Sequence, residues 1–148
     1  MPAGATGGQD RPEGALDAEL DAFDRFATAL VRLEPFTLDE VRVEVRRFAA
    51  AVEHHLRASR PHQSRTGSSR SQRPAIGGRL DREHERFRTS VEELRLLLQV
   101  VERDDHGGHR QALGQYGRIF VEALRLHRGD ERVPAVGDRA GTPPTPRA

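Results

Sequence analysis

Between residues 15 and 131 the apolar positions of this chain recur at spacings of three and four, in four separate runs. That is the period of amphipathic helices with one buried face, and not of strands. The first run is Leu16, Leu20, Phe23, Ala27 and Leu30; it fades toward Pro35, which disfavours helix in the residue before it. The second is Val41, Val45, Phe48, Val52 and His55, with His54 turned about 100° away toward solvent. Its start is marked by Thr37 and Glu40, spaced as in a capping box, with Phe36 placed to staple onto Val41. The third run is Leu80, His84, Phe87, Val91, Leu94, Leu98 and Val101; after a turn-like stretch, the fourth is Leu113, Gly117, Phe120, Leu124, His127 and Glu131. The pattern predicts helices over residues 15–33, 38–58, 79–102 and 109–131.

The runs repeat in pairs. "LDAELDAF" at 16–23 and "LDREHERF" at 80–87 share Leu, Asp, Glu and Phe at matching positions and differ at Leu20 against His84. Phe48 stands seven residues before His55, as Phe120 stands seven before His127. Two helical hairpins of one plan, joined by short connections, imply an all-α, antiparallel up-and-down four-helix bundle. In it Leu20, His55, His84 and His127 fall at one end and at similar depth.

Composition bounds the rest. The chain has 148 residues, enough for one domain. Residues 1–14 and 136–148 are rich in Gly, Pro and small polar residues and are expected to be disordered. The stretch 57–79 carries Arg57, Arg60, Arg65, Arg70, Arg73 and Arg79 with no acidic residue between them, and reads as a flexible basic loop within a domain spanning 15–135. It has no interleaved aromatic residue for base stacking, so a nucleic-acid partner is not expected. A formal net charge of +1 gives no global field to steer the protein to a polyanion. The absence of cysteine excludes disulfides and thiolate metal sites. With neither a signal-peptide pattern nor a spanning apolar run, a cytoplasmic protein without a membrane partner is expected.

Three inward histidines at one level are difficult to explain by packing, because each buried imidazole needs partners for both ring nitrogens. A shared metal ion would satisfy one nitrogen on each of His55, His84 and His127. Glu131, one turn beyond His127 on the same face, can add a carboxylate oxygen. Imidazole and carboxylate together suit non-haem iron, manganese or zinc. His106 and His109 flank a glycine pair and read as exposed turn residues, and His62 reads as exposed. No nucleophile motif, phosphate-cradling loop or isolated carboxylate pair is present, so an enzyme is not expected.

On His84, on "LHRGDERVP" with His127, Glu131 and Pro134, and on "EHHLRASRP" with His55 and Pro61, residues 15–135 resemble the hemerythrin-like family of HHE cation-binding domains. The resemblance implies a four-helix bundle holding iron, often two ions, between its helices. It also implies what this chain lacks. Leu20 stands where the first helix would offer a histidine, Ser59 where the second would offer a carboxylate, and Arg88 where many relatives carry another ligand. The retained set is His55, His84, His127 and Glu131, so one iron ion or none is expected where relatives hold two. Two functions stay open. One is a protein that senses, stores or carries iron, O2 or a related diatomic. The other is a metal-free helical interaction module of the same descent.

Overall fold

The computed structural model describes residues 12–58 and 74–132. Among them are four helices and no strand: α1 (Pro12–Val31), α2 (Leu38–Ala58), α3 (Pro74–Arg103) and α4 (Gly107–Arg132). Each helix packs closely on two neighbours, in the order α1, α2, α3, α4 and back to α1, while the diagonal pair α2 and α4 meets only through side chains across the core. None of these helices is long and apolar enough to cross a membrane.

The helix ends follow local chemistry. At the start of α2 the expected capping box is present: Glu40 Oε2 accepts from the Thr37 N–H at 2.7 Å, and Thr37 Oγ1 accepts from the Glu40 N–H at 3.1 Å. Phe36 beside it packs edge-on to Phe26, with ring centroids 5.2 Å apart. Helices α1 and α3 both open on proline, at Pro12 and Pro74, three and five residues ahead of the starts at 15 and 79 read from the apolar stripes. Proline suits the first helical position because its missing N–H would have no partner there. The segment 74–79, expected within the loop, is helical; its Gly77 and Gly78, poor helix formers, obscured the start in the sequence. Residues 12–14, expected within the disordered N-terminal segment, are helical too, since a first turn without apolar residues leaves no periodic signal. Ser59, Arg60, Pro61, His62, Arg65, Arg70, Arg73 and Pro134 lie outside the described residues, as does the C-terminal segment 136–148.

Helix α1 ends in a Schellman turn. The Glu34 N–H reaches Ala29 O and the Leu33 N–H reaches Leu30 O, both at 3.0 Å, with Leu33 left-handed at φ 58°. The helix α4 is capped by an imidazole: His106 Nδ1 accepts from the N–H groups of Gly108 and His109 at 3.0 and 3.4 Å. Neither terminator belongs to the usual residue types, so neither shows in the sequence.

All the apolar stripe residues expected inside are buried, except Leu80, which is half-buried. One phenylalanine from each helix meets in a layer across the bundle. Phe23 stacks on Phe48 with centroids 3.9 Å apart, Phe48 meets Phe120 edge-on at 5.5 Å, and Phe120 stacks on Phe87 at 6.1 Å. The face between α1 and α4 is the tightest, because Gly114 and Gly117 admit the neighbouring helix. A Cβ at Gly114 would stand 2.6 Å from Ala27 O, and one at Gly117 would stand 2.9 Å from the Phe23 ring.

Gly114→Ala should therefore destabilise the fold by about 1–3 kcal/mol through overpacking. Gly129→Ala, at an exposed helical position with nothing within 4 Å of the new methyl, should stabilise it by up to about 1 kcal/mol through helix propensity. Urea denaturation of the two variants checks the opposite signs.

Candidate metal centre

The stripes of α2, α3 and α4 each end in polar residues near one end of the bundle, and the fold brings them together. Glu131 Oε1 lies 2.7 Å from His127 Nε2, 3.4 Å from His55 Nε2 and 3.6 Å from His84 Nε2. His84 Nε2 and His127 Nε2 are 3.1 Å apart. One potential ligand atom each from His55, His127 and Glu131 lies within 4.8 Å of the others, and His84 adjoins two of these three. All four residues expected at the site thus converge, each through one atom. His84 and His127 are buried, while the side chains of His55 and Glu131 are 13% and 20% exposed, which places the cluster at the rim of the core. Its floor is the phenylalanine layer, where Phe87 meets the His127 ring at 5.0 Å.

Residues on the far side of these groups hold them in place. Glu83 Oε2 lies 2.6 Å from His127 Nδ1, so that nitrogen donates. Arg128, 7% exposed in its side chain, places Nη1 3.3 Å from Glu131 Oε2 and Nε 3.5 Å from Asp17 Oδ1 of α1. Leu20 is fully buried in the apolar cluster, so α1 reaches the site through Asp17 and Arg128 and supplies no imidazole. Arg88 pairs with Glu85 at 2.8 Å on the exposed side of α3. Sequence reasoning missed both Glu83 and Arg128, since each neighbours a stripe histidine and points sideways toward another helix.

The charges are strongly coupled. Burial acts most strongly on His127 and disfavours its imidazolium, but the carboxylates of Glu131 and Glu83 together outweigh it and the net shift is upward. Burial followed by the neighbouring His127 pushes His84 down. Burial raises Glu131, yet the close approach of His127, followed by that of His55 at 3.4 Å, outweighs it and holds its carboxyl far below the usual range. The hydrogen bond from His127 is the main cause of the lowered value of Glu83. An imidazolium at His127 would donate from Nδ1 to Glu83 and from Nε2 to Glu131, its inner proton standing where a cation would. His55 Nε2 has no hydrogen-bond partner, although it faces Glu131 Oε1.

This donor set fits a metal ion. Donors sharing one ion at about 2.0–2.2 Å lie roughly 3 Å or slightly more from one another; Glu131 Oε1 to the three Nε2 atoms and His84 Nε2 to His127 Nε2 are close to that, while the His55 and His84 rings stand farther apart, at 6.4 Å between centroids. Three imidazole nitrogens and one carboxylate oxygen suit zinc, iron or manganese.

A second group, Asp104, His106 and His109, also brings potential ligand atoms within 4.8 Å at the start of α4. Its hydrogen bonds argue against a cation. His106 Nδ1 accepts from backbone, so in the neutral ring its proton is on Nε2; His109 Nδ1 donates to Asp104 O at 2.8 Å. Neither Nε2 of His106 nor Nδ1 of His109 then has a free lone pair. The turn is a cap built from histidine, in keeping with its expected surface position.

No family model, no curated protein and no solved structure matches the chain.

The pKa directions predict how the site stabilises the metal-free fold. The lowered carboxylates contribute stability that is present above their ordinary value of 4.5 and lost as pH falls below it. His127, raised, contributes stability that is fully present below its ordinary value of 6.5 and lost as pH rises through its higher folded value. Glu131→Gln should cost about 1.5–3 kcal/mol near pH 6, the range for a hydrogen bond to a charged group. The difference from wild type should shrink on acidification below pH 4.5. Thermal melts of both proteins from pH 3 to 8 check the sign and the window.

Proposed function

We propose that this chain is an antiparallel up-and-down four-helix bundle of the hemerythrin-like kind that binds one transition-metal ion through His55, His84, His127 and Glu131. The antiparallel arrangement of α2 and α3 is supported by their ion pairs. Arg42 meets Glu102 at 3.0 Å and Glu53 meets Arg95 at 2.7 Å, so an advance along α2 is a retreat along α3. The hemerythrin-like assignment rests on the spacing of the retained residues in the sequence.

The observation that carries the metal reading is the unpartnered, buried His55 Nε2. A buried polar atom left without a partner costs about 1–3 kcal/mol, and a proton on His127 does nothing for it. A metal ion held between the three Nε2 atoms and Glu131 Oε1 serves all of them at once. Iron is the metal that the family resemblance implies, and when bound it would supply a redox-active Lewis acid for a small diatomic such as O2. The protein's own residues supply the donors, the apolar floor and the single carboxylate that balances charge. Sensing, storage or carriage of iron or a diatomic is the activity proposed for such a site.

The alternative is a metal-free interaction module. It is favoured by the closed hydrogen-bonded set of Glu83, His127, Glu131 and His84, and by the exposed apolar side chains of Leu96, Ile119 and Leu126, which are 58–70% exposed.

Anaerobic titration with Fe(II), and with Zn2+ as a redox-silent probe, should give one ion per chain. It should raise the melting temperature, by about 2.7 kcal/mol of stability at a free metal concentration of 100 times Kd. Binding should weaken below about pH 6.5, where protons compete for the imidazoles. His55→Leu should abolish this gain and leave the metal-free protein as stable as wild type or more so, because it removes an unpartnered nitrogen. A wild-type chain that takes up neither metal would leave the interaction module as the function.

A further inference from the structure

The four donors account for the centre of the site and leave Glu83 unexplained. It precedes His84 on α3, so its side chain projects about 100° around the helix from that ligand, toward α4. There its Oε2 reaches His127 Nδ1 at 2.6 Å, while its other oxygen lies 3.4 Å from Arg79 Nε. Arg79 in turn lies 3.6 Å from Asp130 of α4, so the carboxylate is held from behind by a guanidinium that spans the same two helices. The Glu83 side chain is 21% exposed, against 1% for His127. This is a partly shielded contact at the edge of the cluster, and not a solvated surface pair.

A neutral imidazole has one N–H and one lone pair. Each ring nitrogen of His127 faces a carboxylate, Nδ1 that of Glu83 at 2.6 Å and Nε2 that of Glu131 at 2.7 Å, so the two compete for the proton, and only with the proton on Nδ1 does Nε2 keep a lone pair for a cation. We infer that Glu83 is a positioning residue of the metal centre, which fixes the tautomer and ring orientation of His127 so that Nε2 is the donor atom. The inference rests on the metal-binding function proposed above. A carboxylate on the outer nitrogen of a ligating histidine also raises the basicity of the inner one. Glu83 therefore strengthens binding without touching the ion. The competing account is a structural ion pair that joins α3 to α4 and affects stability alone.

The test uses the full chain as wild type, Glu83→Ala, Glu83→Gln and Glu83→Asp, with Zn2+ as the probe. Glutamine retains an acceptor oxygen at the same reach; aspartate retains the charge and falls short by one methylene. Zinc affinity, measured by competition with a chromophoric chelator, should fall roughly 10- to 100-fold in the Ala and Asp variants, with Gln recovering most of the loss. Long-range 15N–1H correlation spectra of the metal-free chain at alkaline pH, where the ring is neutral, should show a larger share of the Nδ1–H tautomer of His127 in wild type and Gln than in Ala, where Glu131 alone draws the proton to Nε2. If Glu83→Ala fails to fold, the contrast between Asp and Gln decides the matter.

Wild-type zinc affinity in Ala or Asp, with or without lost thermal stability, overturns the inference and leaves the metal site standing. An unchanged Nδ1–H tautomer in Ala overturns it likewise. A wild-type chain that takes up no zinc overturns the metal site and, with it, the positioning role.

Discussion

A carboxylate placed among three imidazoles at the end of an apolar bundle has to be neutralised, and the polar chemistry of that end follows from this constraint. Glu131 Oε1 faces Nε2 of His127, His55 and His84. Its other oxygen faces the guanidinium of Arg128, which also approaches Asp17 of α1. His127 in turn leans on Glu83 and Glu83 on Arg79. Charges of opposite sign alternate outward from the centre, so each ion has a partner and the cluster as a whole is close to balanced. An isolated ion at such a position would incur several kcal/mol of desolvation. The alternation also ties all four helices together at one level, α1 through Asp17, α2 through His55, α3 through His84 and Glu83, and α4 through His127, Arg128 and Glu131.

That level is kept in register by what lies beneath it. The Phe23, Phe48, Phe87 and Phe120 rings form a floor in which stacked and edge-on contacts alternate, and ring pairs in such geometries contribute about 0.5–1.5 kcal/mol beyond their buried area. Gly114 and Gly117 draw α4 against α1, so the helix that offers two of the four donors is the one most tightly seated. A donor set needs positional precision of about half an ångström to be useful. Here the apolar layer and the close helix contact supply it before any polar atom is considered.

Most of this was legible in the sequence, for a definite reason. A residue on an apolar stripe is constrained by the helical period, so His55, His84, His127 and Glu131 could be placed inside and at one end from spacing alone, and Thr37 with Glu40 marked a helix start from side-chain chemistry alone. Glu83, Arg128 and Asp17 were not legible. They sit off the stripes, and their roles depend on how far α3, α4 and α1 stand from one another, a quantity fixed by packing and not by period. The start at Pro12 was missed because a first turn without apolar residues has no stripe to read, and the start at Pro74 because the Gly77–Gly78 pair reads as loop. The terminators Leu33 and His106 were missed because a left-handed leucine and an imidazole cap are uncommon solutions to common problems.

The arrangement bears on how many cations the site can hold. An imidazolium at His127 would serve two carboxylates, yet it leaves His55 Nε2 unpartnered, so the metal-free cluster is balanced in charge but not in hydrogen bonding. On the metal-binding reading proposed above, one divalent ion in place of its inner proton would answer both needs, with the inward histidines as nitrogen donors and Glu131 and Glu83 set against its charge. A second ion finds no comparable position. On the side of α1 the apolar Leu20 offers no donor, and the guanidinium of Arg128 is already set against Glu131 Oε2 at 3.3 Å. A fixed positive charge there repels another cation and uses the oxygen that would have to bridge to it, so the geometry that favours one ion also works against two.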